Sequence, residues 1–578
     1  MRNVFQLALP AVLACLPLLA SAQTIDPALG VDPRVHYASL TRFGPWDDRN
    51  YLLTAEDLEL LAPNEAEISE AIPAFYRVAL RRAIPELQRS GPAQYPRSAL
   101  PRFLILYGGY LYNGKLYRSI EKHGGHFVLV LDDENAIDES AFYERLEAPD
   151  ALTTDVRVTS PNGAAESAVA ISPVNKDLVI AGSNGPGSGQ NMHYSTNGGA
   201  TWTAAAALPL GSTCCDPAVE WSSNGGFSYA VTLGAVSGTW FYRSANGGQT
   251  WDNLSTIDGD PRREISTSVN TDKEFIHVDR YAGSAHKDNI YVTWHEQNIM
   301  RIARSTNFGH TWSTVVHSSS SNFRGIGSDV ATDKNGAVYH FWPGYNVPNI
   351  WVSKSTDGGA SFATPTQVAL TQASFIFPIP SMEVREVFVY VSADADLTDG
   401  PYGGSIYAAW TDSTAPTSGV PANNHARIRV AYSRNGGSSW TVVTPHPTAD
   451  ATTVDRWHQF LAVAPDGSVH VIFYDTTRDP TRTAVDVYHS VSTNGAQTFS
   501  TPTRLTAVQS PNITGSFEFG DYNGLSSVMN QLIAVFTDNR HETGGTGNSV
   551  DIYAAGKLLS GKLIVGPSSG GAGRLRLY

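Results

Sequence analysis

From about residue 166 onward, hydrophobic positions come in pairs of short runs separated by a polar turn. In QFLAVAPDGSVHVIFYD, for example, a turn of Pro, Asp and Gly joins two largely apolar runs. Paired runs of this kind are typical of β-hairpins with one or both faces buried. Such a pair occurs seven times before residue 556. The pattern therefore predicts an all-β fold built from repeats.

A second motif lies between these hairpins and contains a hydroxyl residue, an Asx, a glycine, a second hydroxyl and an aromatic ring. Its six copies are YSTNGGATW, RSANGGQTW, RSTNFGHTW, KSTDGGASF, YSRNGGSSW and VSTNGAQTF. We expect a tight turn in which the Asx side chain accepts hydrogen bonds from N–H groups two residues on, and a glycine adopts positive φ. The aromatic ring should then pack between neighbouring sheets. Ala496 replaces the glycine in the sixth copy, so that turn should be the most strained.

Short strands repeating at this spacing predict a β-propeller with four-stranded blades. The seventh hairpin has no turn motif, but SVDIYAAG follows it and can supply an outer strand. Seven blades are therefore favoured. Six blades, one for each turn motif, are the alternative.

The chain before the repeats contains neither motif. Its first residues combine Arg2, an apolar run from Val4 to Leu19 and a small-residue site ending at Ala22. This arrangement predicts a signal peptide and a secreted protein, extracellular or periplasmic. A membrane anchor is disfavoured because the apolar run is short for a span.

The rest of the N-terminal region has mixed periodicity. Residues 66–87 and 139–148 show helical spacing, whereas residues 102–112 and 126–133 resemble strands. A small α+β region and a propeptide both fit this pattern. The predicted organisation is signal peptide 1–22, N-terminal region 23–165, propeller 166–556 and tail 557–578.

Charge and cysteine content narrow the partners. The formal net charge is −14, and no basic block is present, which argues against nucleic acid or an anionic membrane as partner. After export only Cys214 and Cys215 remain, and adjacent cysteines either close a strained ring or stay as thiols. The oligomeric state is left open.

The six turn motifs match the pattern S-x-D-x-G-x-T-W of the Asp-box, or BNR, repeat. On this basis residues 166–556 resemble the sialidase superfamily of propellers. The resemblance implies that the boxes are structural hairpins at the blade periphery. No cofactor is expected. Five of the six Asx positions are neutral Asn, which are poor calcium ligands, so no metal is expected there.

Candidate chemistry lies where each hairpin begins, because residues just before the inner strands of a propeller face the mouth of its channel. These positions read TCCDPAV, TDKEFIHV, GSDVA, MEVREVFV, DRWHQFLAV and FGDYNGL. They are rich in carboxylates, cations and aromatic rings. The alternative is that these groups cap strands and pair with one another at the rim.

The sialidase resemblance implies a tyrosine nucleophile activated by a glutamate, an acid for the leaving oxygen and cations for a sugar carboxylate. The predicted catalytic residues are Tyr522, Asp521, Glu518 and Asp216, with Tyr522 as nucleophile beside Asp521 and Glu518, and Asp216 as acid. The predicted ligand-binding residues are Arg385, Arg456, Arg540, Trp457 and Lys273, the arginines being suited to clamp a carboxylate.

Two functions are favoured by the sequence. The first is a secreted, sialidase-like glycoside hydrolase acting on extracellular glycans at the channel mouth. The second is a non-catalytic propeller that binds glycan or protein, since propellers host unrelated functions. The Arg-Ile-Pro motif of sialidases is missing, and Phe377-Pro378-Ile379-Pro380 has a proline in place of its arginine. A different secreted enzyme, such as a lyase or peptidase, is the third possibility.

Overall fold

A computed structural model describes Val78, four strands between Tyr110 and Asp138, and most of residues 155–558. The gaps in this last range are 161–162, 187–188, 210–212, 252–262, 317–322, 346, 514–517, 529–530 and 543–549. The predicted signal peptide and, apart from helical Val78, the predicted helices lie outside the described residues. Contacts divide the chain into two compact units, residues 1–149 and 150–578.

The first unit contains an antiparallel sheet of four strands in chain order. Its strands are β1 (Tyr110–Tyr112), β2 (Lys115–His123), β3 (His126–Leu131) and β4 (Ala136–Asp138). The strands β1 and β3 fall in the two apolar runs that the sequence identified as strand-like.

The second unit is a seven-bladed β-propeller, which confirms the predicted all-β class, the four-stranded blades and the favoured blade number. It begins with β5 (Val156–Arg157). The first blade contains β6 (Ala165–Ile171), β7 (Val179–Asn184), β8 (Gln190–Ser195) and β9 (Thr203–Ala204). The second contains β10 (Ala218–Trp221), β11 (Ser228–Leu233), β12 (Thr239–Ser244) and β13 (Arg263–Ser266). The third contains β14 (Thr271–Val278), β15 (Ile290–Glu296), β16 (Ile299–Ser305) and β17 (Ser313–Val316).

The fourth blade is followed by an inserted hairpin and then by the last three blades. The fourth blade contains β18 (Asp329–Thr332), β19 (Val338–Pro343), β20 (Asn349–Ser355) and β21 (Thr366–Leu370), and the hairpin contains β22 (Ile376–Ile379) and β23 (Met382–Phe388). The fifth blade contains β24 (Val391–Ala395), β25 (Ile406–Ser413), β26 (Ala426–Ser433) and β27 (Thr441–Val443), and the sixth contains β28 (Arg456–Val463), β29 (Val469–Asp475), β30 (Asp486–Ser492) and β31 (Thr503–Arg504). The seventh contains β32 (Gly524–Val528), β33 (Gln531–Asp538) and β34 (Asp551–Leu558). A 3-10 turn spans Pro421–Asn423.

The ring is closed by joining the two ends of the propeller. We expected SVDIYAAG to form the outer strand of the last blade, but β34 is its third strand and β5 is the fourth. Tyr553 pairs with Arg157 and Ala554 with Val156. The Arg157 guanidinium also donates to Asp551 at 2.8 Å. The propeller therefore uses residues that precede the predicted start at residue 166.

The six turn motifs form nearly identical hydrogen-bonded turns. In the first, the Ser195 hydroxyl accepts from the backbone N–H of Gly199 at 2.9 Å, and the Asn197 side chain accepts from Thr201 N–H at 2.9 Å. The expected Asx bond to an N–H two residues on was wrong, because the Asx oxygen reaches four residues on. The serine hydroxyl instead accepts from the N–H two residues on, that of Asn197, at 3.3 Å.

Aromatic rings from these turns pack against the preceding blade. Trp312 lies 5.1 Å from the Phe241 ring, and Trp440 lies 5.6 Å from the Phe341 ring, both centroid to centroid. In the sixth turn Ala496 has φ of 64°, yet its N–H still donates to Ser492 at 2.9 Å. The blade interfaces form the hydrophobic cores, and the inner strands are left to line a central channel. No helix among the described residues is long and apolar enough to cross a membrane.

Candidate functional site

Four side chains reach the channel mouth from residues with a left-handed backbone. Glu166, Asp216, Lys273 and His458 have φ of 56°, 59°, 57° and 47°, at or just before the inner strands of four different blades. Three of these positions coincide with breaks in strand register: Glu166 in β6, Lys273 in β14 and His458 in β28. A β-bulge redirects a side chain, and non-glycine residues adopt this backbone only at an energetic cost. The repeated strain marks the mouth as a built site.

The inserted hairpin β22–β23 brings Arg385 into this mouth. Glu518 holds the hairpin, because its two carboxylate oxygens accept from the backbone N–H groups of Val384 and Arg385, each at 3.1 Å. The Arg385 guanidinium donates to Glu166 at 2.5 Å and also to Asp521. Glu518 is thus engaged by the backbone, and Asp521 is engaged by an arginine.

Tyr522 and Asp216 meet at the floor of the mouth. The Tyr522 hydroxyl donates to Asp216 Oδ1 at 3.5 Å, and only 5% of the tyrosine is exposed. The other oxygen of Asp216 accepts from Lys273 N–H at 3.2 Å, while the backbone N–H of Asp216 donates to Asn184 at 2.8 Å. The Lys273 ammonium lies 2.9 Å from the centroid of the Tyr522 ring. The Tyr522 phenol therefore contacts both the Asp216 carboxylate and the Lys273 ammonium.

The carboxylates of the mouth titrate differently. Burial, with Asp521 adding negative charge, raises the pKa of Glu166 well above its ordinary value. Burial and the neighbouring Asp216 raise the pKa of Asp272 to about 7, although its side chain is the most exposed of the group. Burial opposes ionisation of Asp521, but Arg385 and Lys273 outweigh it and lower its pKa. The site thus combines proton-holding and ionised carboxyl groups, which acid–base chemistry requires.

The nucleophile candidate and the histidine are both neutral in this environment. Burial and the charge of Asp216 raise the pKa of Tyr522 well above its ordinary value, so its hydroxyl keeps its proton until a base takes it. Burial lowers the pKa of His458 to about 3.

Several buried polar atoms at the mouth have no hydrogen-bond partner among the described residues. They are Lys273 Nζ, both carboxylate oxygens of Glu274 and both ring nitrogens of His458. These residues are only 2%, 1% and 3% exposed. Buried polar groups are nearly always paired in folded proteins, and partnerless ones also occur elsewhere in the propeller, but these belong to charged or titratable side chains beside the contact of Tyr522 with Asp216.

A cavity of about 100 Å³ in the channel is lined by Tyr522 and by residues of all seven inner strands. Phe275, which also lines the cavity, stacks on Phe460 at 6.2 Å and meets Tyr522 edge-on at 5.9 Å. Asp329 and Asp394 line the cavity, where they accept backbone N–H groups of neighbouring strands at 2.9 and 2.8 Å. These two carboxyl groups have a structural role.

Three predicted ligand-binding residues lie in structural contacts. Arg456 forms ion pairs with Asp450 and Asp475 at 2.7 and 2.6 Å. Trp457 is fully buried, with its ring 5.4 Å from Tyr474 and 6.0 Å from Phe519.

Arg540 is held in the same way. It pairs with Asp538 at 2.6 Å and with Asp155, and its guanidinium lies 4.1 Å from the Tyr553 ring. The structure therefore brings Tyr522, Asp521, Asp216, Lys273 and Arg385 together, but it does not assemble the predicted clamp of three arginines.

Sequence reasoning missed Glu166 and Tyr390 and passed over His458. Glu166 begins the first paired run, ESAVAISP, so the rule applied to the other hairpins would have found it. Tyr390, whose ring centroid lies 4.8 Å from Lys273 Nζ, directly precedes the inner strand β24. It was hidden because REVFVYV was interpreted as that inner strand, whereas most of it belongs to the inserted strand β23.

The adjacent cysteines lie beside the site. Cys214 and Cys215 are joined by a disulfide, so the ring rather than the pair of thiols is formed. They directly precede Asp216. Among the residues that the structure describes, no group of three or more His, Cys, Asp or Glu is arranged to hold a metal ion.

The fold and the site define a seven-bladed propeller with a polar, partly strained channel mouth. Residues 36–121 match a family described as a domain of unknown function, DUF8300. A search of curated proteins finds no match.

Solved structures similar to this chain include two carbohydrate-related propellers. An α-L-arabinofuranosidase from Fusarium graminearum has 10% identity and a TM-score of 0.37, over 71% of this chain and 99% of that one. A lectin from Burkholderia pseudomallei has 13% identity and a TM-score of 0.44, over 69% of this chain and 98% of that one.

A third similar structure is an intramolecular trans-sialidase from Ruminococcus gnavus, solved with oseltamivir carboxylate. Its identity is 11% and its TM-score 0.38, over 55% of this chain and 92% of that one. At these identities and TM-scores the similarities bear on neither activity nor ligand.

Proposed function

We propose that this chain is a secreted glycoside hydrolase that acts on extracellular glycans at the channel mouth, with Tyr522 as nucleophile. The observation that carries the proposal is the hydrogen bond between the Tyr522 hydroxyl and Asp216, at the floor of a polar funnel. A tyrosine becomes nucleophilic when an adjacent base takes its proton. Asp216 is the base in contact with it.

The remaining roles follow from exposure and charge. Asp272 supplies the proton for the leaving oxygen, because its pKa of about 7 keeps much of it protonated and its side chain is 59% exposed at the mouth. Asp216 is thus assigned as base and not as the acid that the sequence suggested. Asp521 and Glu518 are assigned to positioning, since they hold Arg385 and its hairpin.

The reaction proceeds through a covalent intermediate. The Tyr522 proton moves to Asp216 while the phenolic oxygen bonds to the anomeric carbon and the glycosidic bond breaks, its oxygen taking the proton of Asp272. Water then attacks the anomeric carbon, giving its proton to Asp272, and Tyr522 leaves and recovers the proton from Asp216. Retention of anomeric configuration is expected.

A second candidate is a non-catalytic glycan-binding propeller. It is favoured by one observation: Arg385, Arg456 and Arg540 are each bonded to carboxylates of the chain. In that case the orphaned groups of Lys273, Glu274 and His458 would bind sugar hydroxyls without a reaction.

A panel of fluorogenic glycosides, including a sialoside, offered to the full chain tests the proposal. We expect turnover of at least one glycoside and its loss in Tyr522→Phe, which removes one hydroxyl. Tyr402→Phe is the matched control, because its hydroxyl lies at the periphery beside Gln497. No turnover on any glycoside, together with glycan-array binding that Tyr522→Phe retains, would replace the hydrolase with the binding propeller.

A further inference from the structure

Lys273 occupies an unusual position for a buried lysine. Its ammonium has no hydrogen-bond partner among the described residues and only 2% of the residue is exposed. It lies over aromatic faces, 2.9 Å from the Tyr522 centroid, 4.8 Å from that of Tyr390 and 5.9 Å from that of Phe275. A buried ammonium without a hydrogen-bond partner loses much of its hydration, and its interaction with the neighbouring Asp521 carboxylate acts only through space.

The backbone at Lys273 adopts a conformation that is energetically unfavourable for a residue with a side chain. Lys273 has φ of 57° and lies in a bulge of β14, where the register with β15 breaks between Asp272 and Phe275. An extended strand without the bulge would point the side chain elsewhere. Its backbone N–H donates to Asp216 Oδ2 at 3.2 Å. One residue therefore positions the carboxylate and places a cation on the tyrosine that this carboxylate contacts.

The physics of the contact depends on the state of Tyr522. A neutral phenol attracts an ammonium through the negative face of its ring, which is a modest interaction. A phenolate carries a full negative charge, so the same ammonium then forms an ion pair in a site that excludes water. The cation thus stabilises the deprotonated ring more than the protonated one. Only such a differential interaction accelerates a chemical step.

We propose that Lys273 is a positioning residue that stabilises Tyr522 as phenolate and so makes the tyrosine nucleophilic. The inference rests on the proposed function, in which the Tyr522 proton moves to Asp216. When that proton has moved, the phenolate faces the Lys273 ammonium while its oxygen bonds to the anomeric carbon. Asp521, which stays ionised, also lies near Tyr522, and its negative charge opposes the phenolate, which increases the need for a nearby cation.

Substitution of Lys273 gives the first test. In Lys273→Met we expect kcat to fall by about 100-fold with KM changed little, since the cation acts after substrate has bound. Lys273→Arg, which keeps the charge, should recover part of that loss. Lys354→Met is the matched control, because Lys354 also lies over a tyrosine, 5.0 Å from the Tyr339 centroid, but at the blade periphery. Equal rates for Lys273→Met and Lys354→Met, or no recovery with arginine in folded protein, would overturn the inference.

A titration that needs no turnover separates this inference from the proposed function. A fluorinated tyrosine placed at position 522 has a lower phenol pKa, so its ionisation can be followed by fluorine NMR in folded protein. We expect the titration midpoint to be higher in Lys273→Met than in the parent and unchanged in Lys354→Met. An unchanged midpoint in Lys273→Met would overturn the role of Lys273. Absence of glycoside turnover by the parent would instead overturn the proposed function.

Discussion

The peripheral turns and the channel mouth of this propeller differ in how closely the repeats resemble one another. In the six turns the serine and Asx side chains make the same hydrogen bonds from one copy to the next, as in Gly199 N–H to Ser195 and Gly437 N–H to Ser433, both at 2.9 Å. At the mouth Glu166, Lys273 and His458 occupy the same place in different blades, yet they differ in chemistry and are bulged.

This contrast distinguishes residues that stabilise the fold from residues that we propose to act on a ligand. A repeat that is copied with its hydrogen bonds intact stabilises the blades and needs no ligand. Positions where the repeats diverge, where the backbone is strained and where buried polar atoms have no partner are the ones that stability does not explain. Four predictions test the contrast, from the largest expected effect to the smallest.

Asp216→Asn should abolish most activity and leave the fold in place. The amide cannot take the Tyr522 proton, so we expect kcat to fall at least about 1000-fold. Asp357→Asn makes the same change in a turn, at the one position where the other five turns already have Asn. Steady-state kinetics should show normal rates for the control. A comparable loss in both variants would mean that the two regions do not differ as described.

Gly309→Ala should destabilise the propeller without touching the mouth. An added Cβ would lie 2.1 Å from Cε1 of the buried Phe241 ring, at φ of 88°. Overpacking and the left-handed backbone together should lower the free energy of unfolding by about 2–4 kcal/mol.

Gly437→Ala provides the comparison for this effect, because its Cβ would meet Tyr339 Cε1 only at 3.3 Å. Its cost should be confined to the backbone, about 1–2 kcal/mol. Denaturant unfolding of both variants measures the difference. Equal losses would show that the ring contact between blades is not what fixes the turn.

The pH dependence of kcat/KM should fall on the alkaline side. Asp272, with a pKa of about 7, must be protonated to act as acid, so the rate should drop about tenfold for each pH unit well above that value. Asp216, Lys273, Asp521 and His295 surround this carboxyl group and tune it. Asp272→Asn should be slower but lose this limb. An unchanged alkaline limb in that variant would assign the acid to another residue.

Ser433→Ala should have the smallest effect. The variant removes an acceptor for the N–H groups of Asn435 and Gly437 in one of six similar turns. We expect about 1–2 kcal/mol less stability and unchanged kcat. Thermal unfolding and kinetics on the same preparation measure both. A change in kcat would contradict the separation of turn from mouth.

The fold could be predicted because the sequence patterns that specify each blade are repeated along the chain. Paired apolar runs and turn motifs appear so often that one irregular copy, such as that containing Ala496, does not change the conclusion. The closure of the ring could not be predicted, because Val156–Arg157 is a very short strand whose partner lies almost 400 residues away in the chain.

The site could be predicted only in part. That Tyr522, Asp521 and Asp216 lie together could be predicted, because each lies just before an inner strand. Arg456 and Arg540 do not reach the mouth, and residue type does not reveal that Asp450 and Asp475 already pair with Arg456, or Asp538 with Arg540. The inserted hairpin broke the repeat and shifted the apparent inner strand away from Val391. The role of Lys273 depends on a bulge, which a strand pattern does not signal.

The central claim is that Tyr522 forms the bond to substrate. Mass spectrometry after inactivation with a fluorinated glycosyl fluoride of a sugar that the chain hydrolyses tests this claim most directly. The account predicts one added glycosyl group on the peptide that contains Tyr522, and none in Tyr522→Phe. A glycosyl group on Asp216 or Asp521 instead would contradict it.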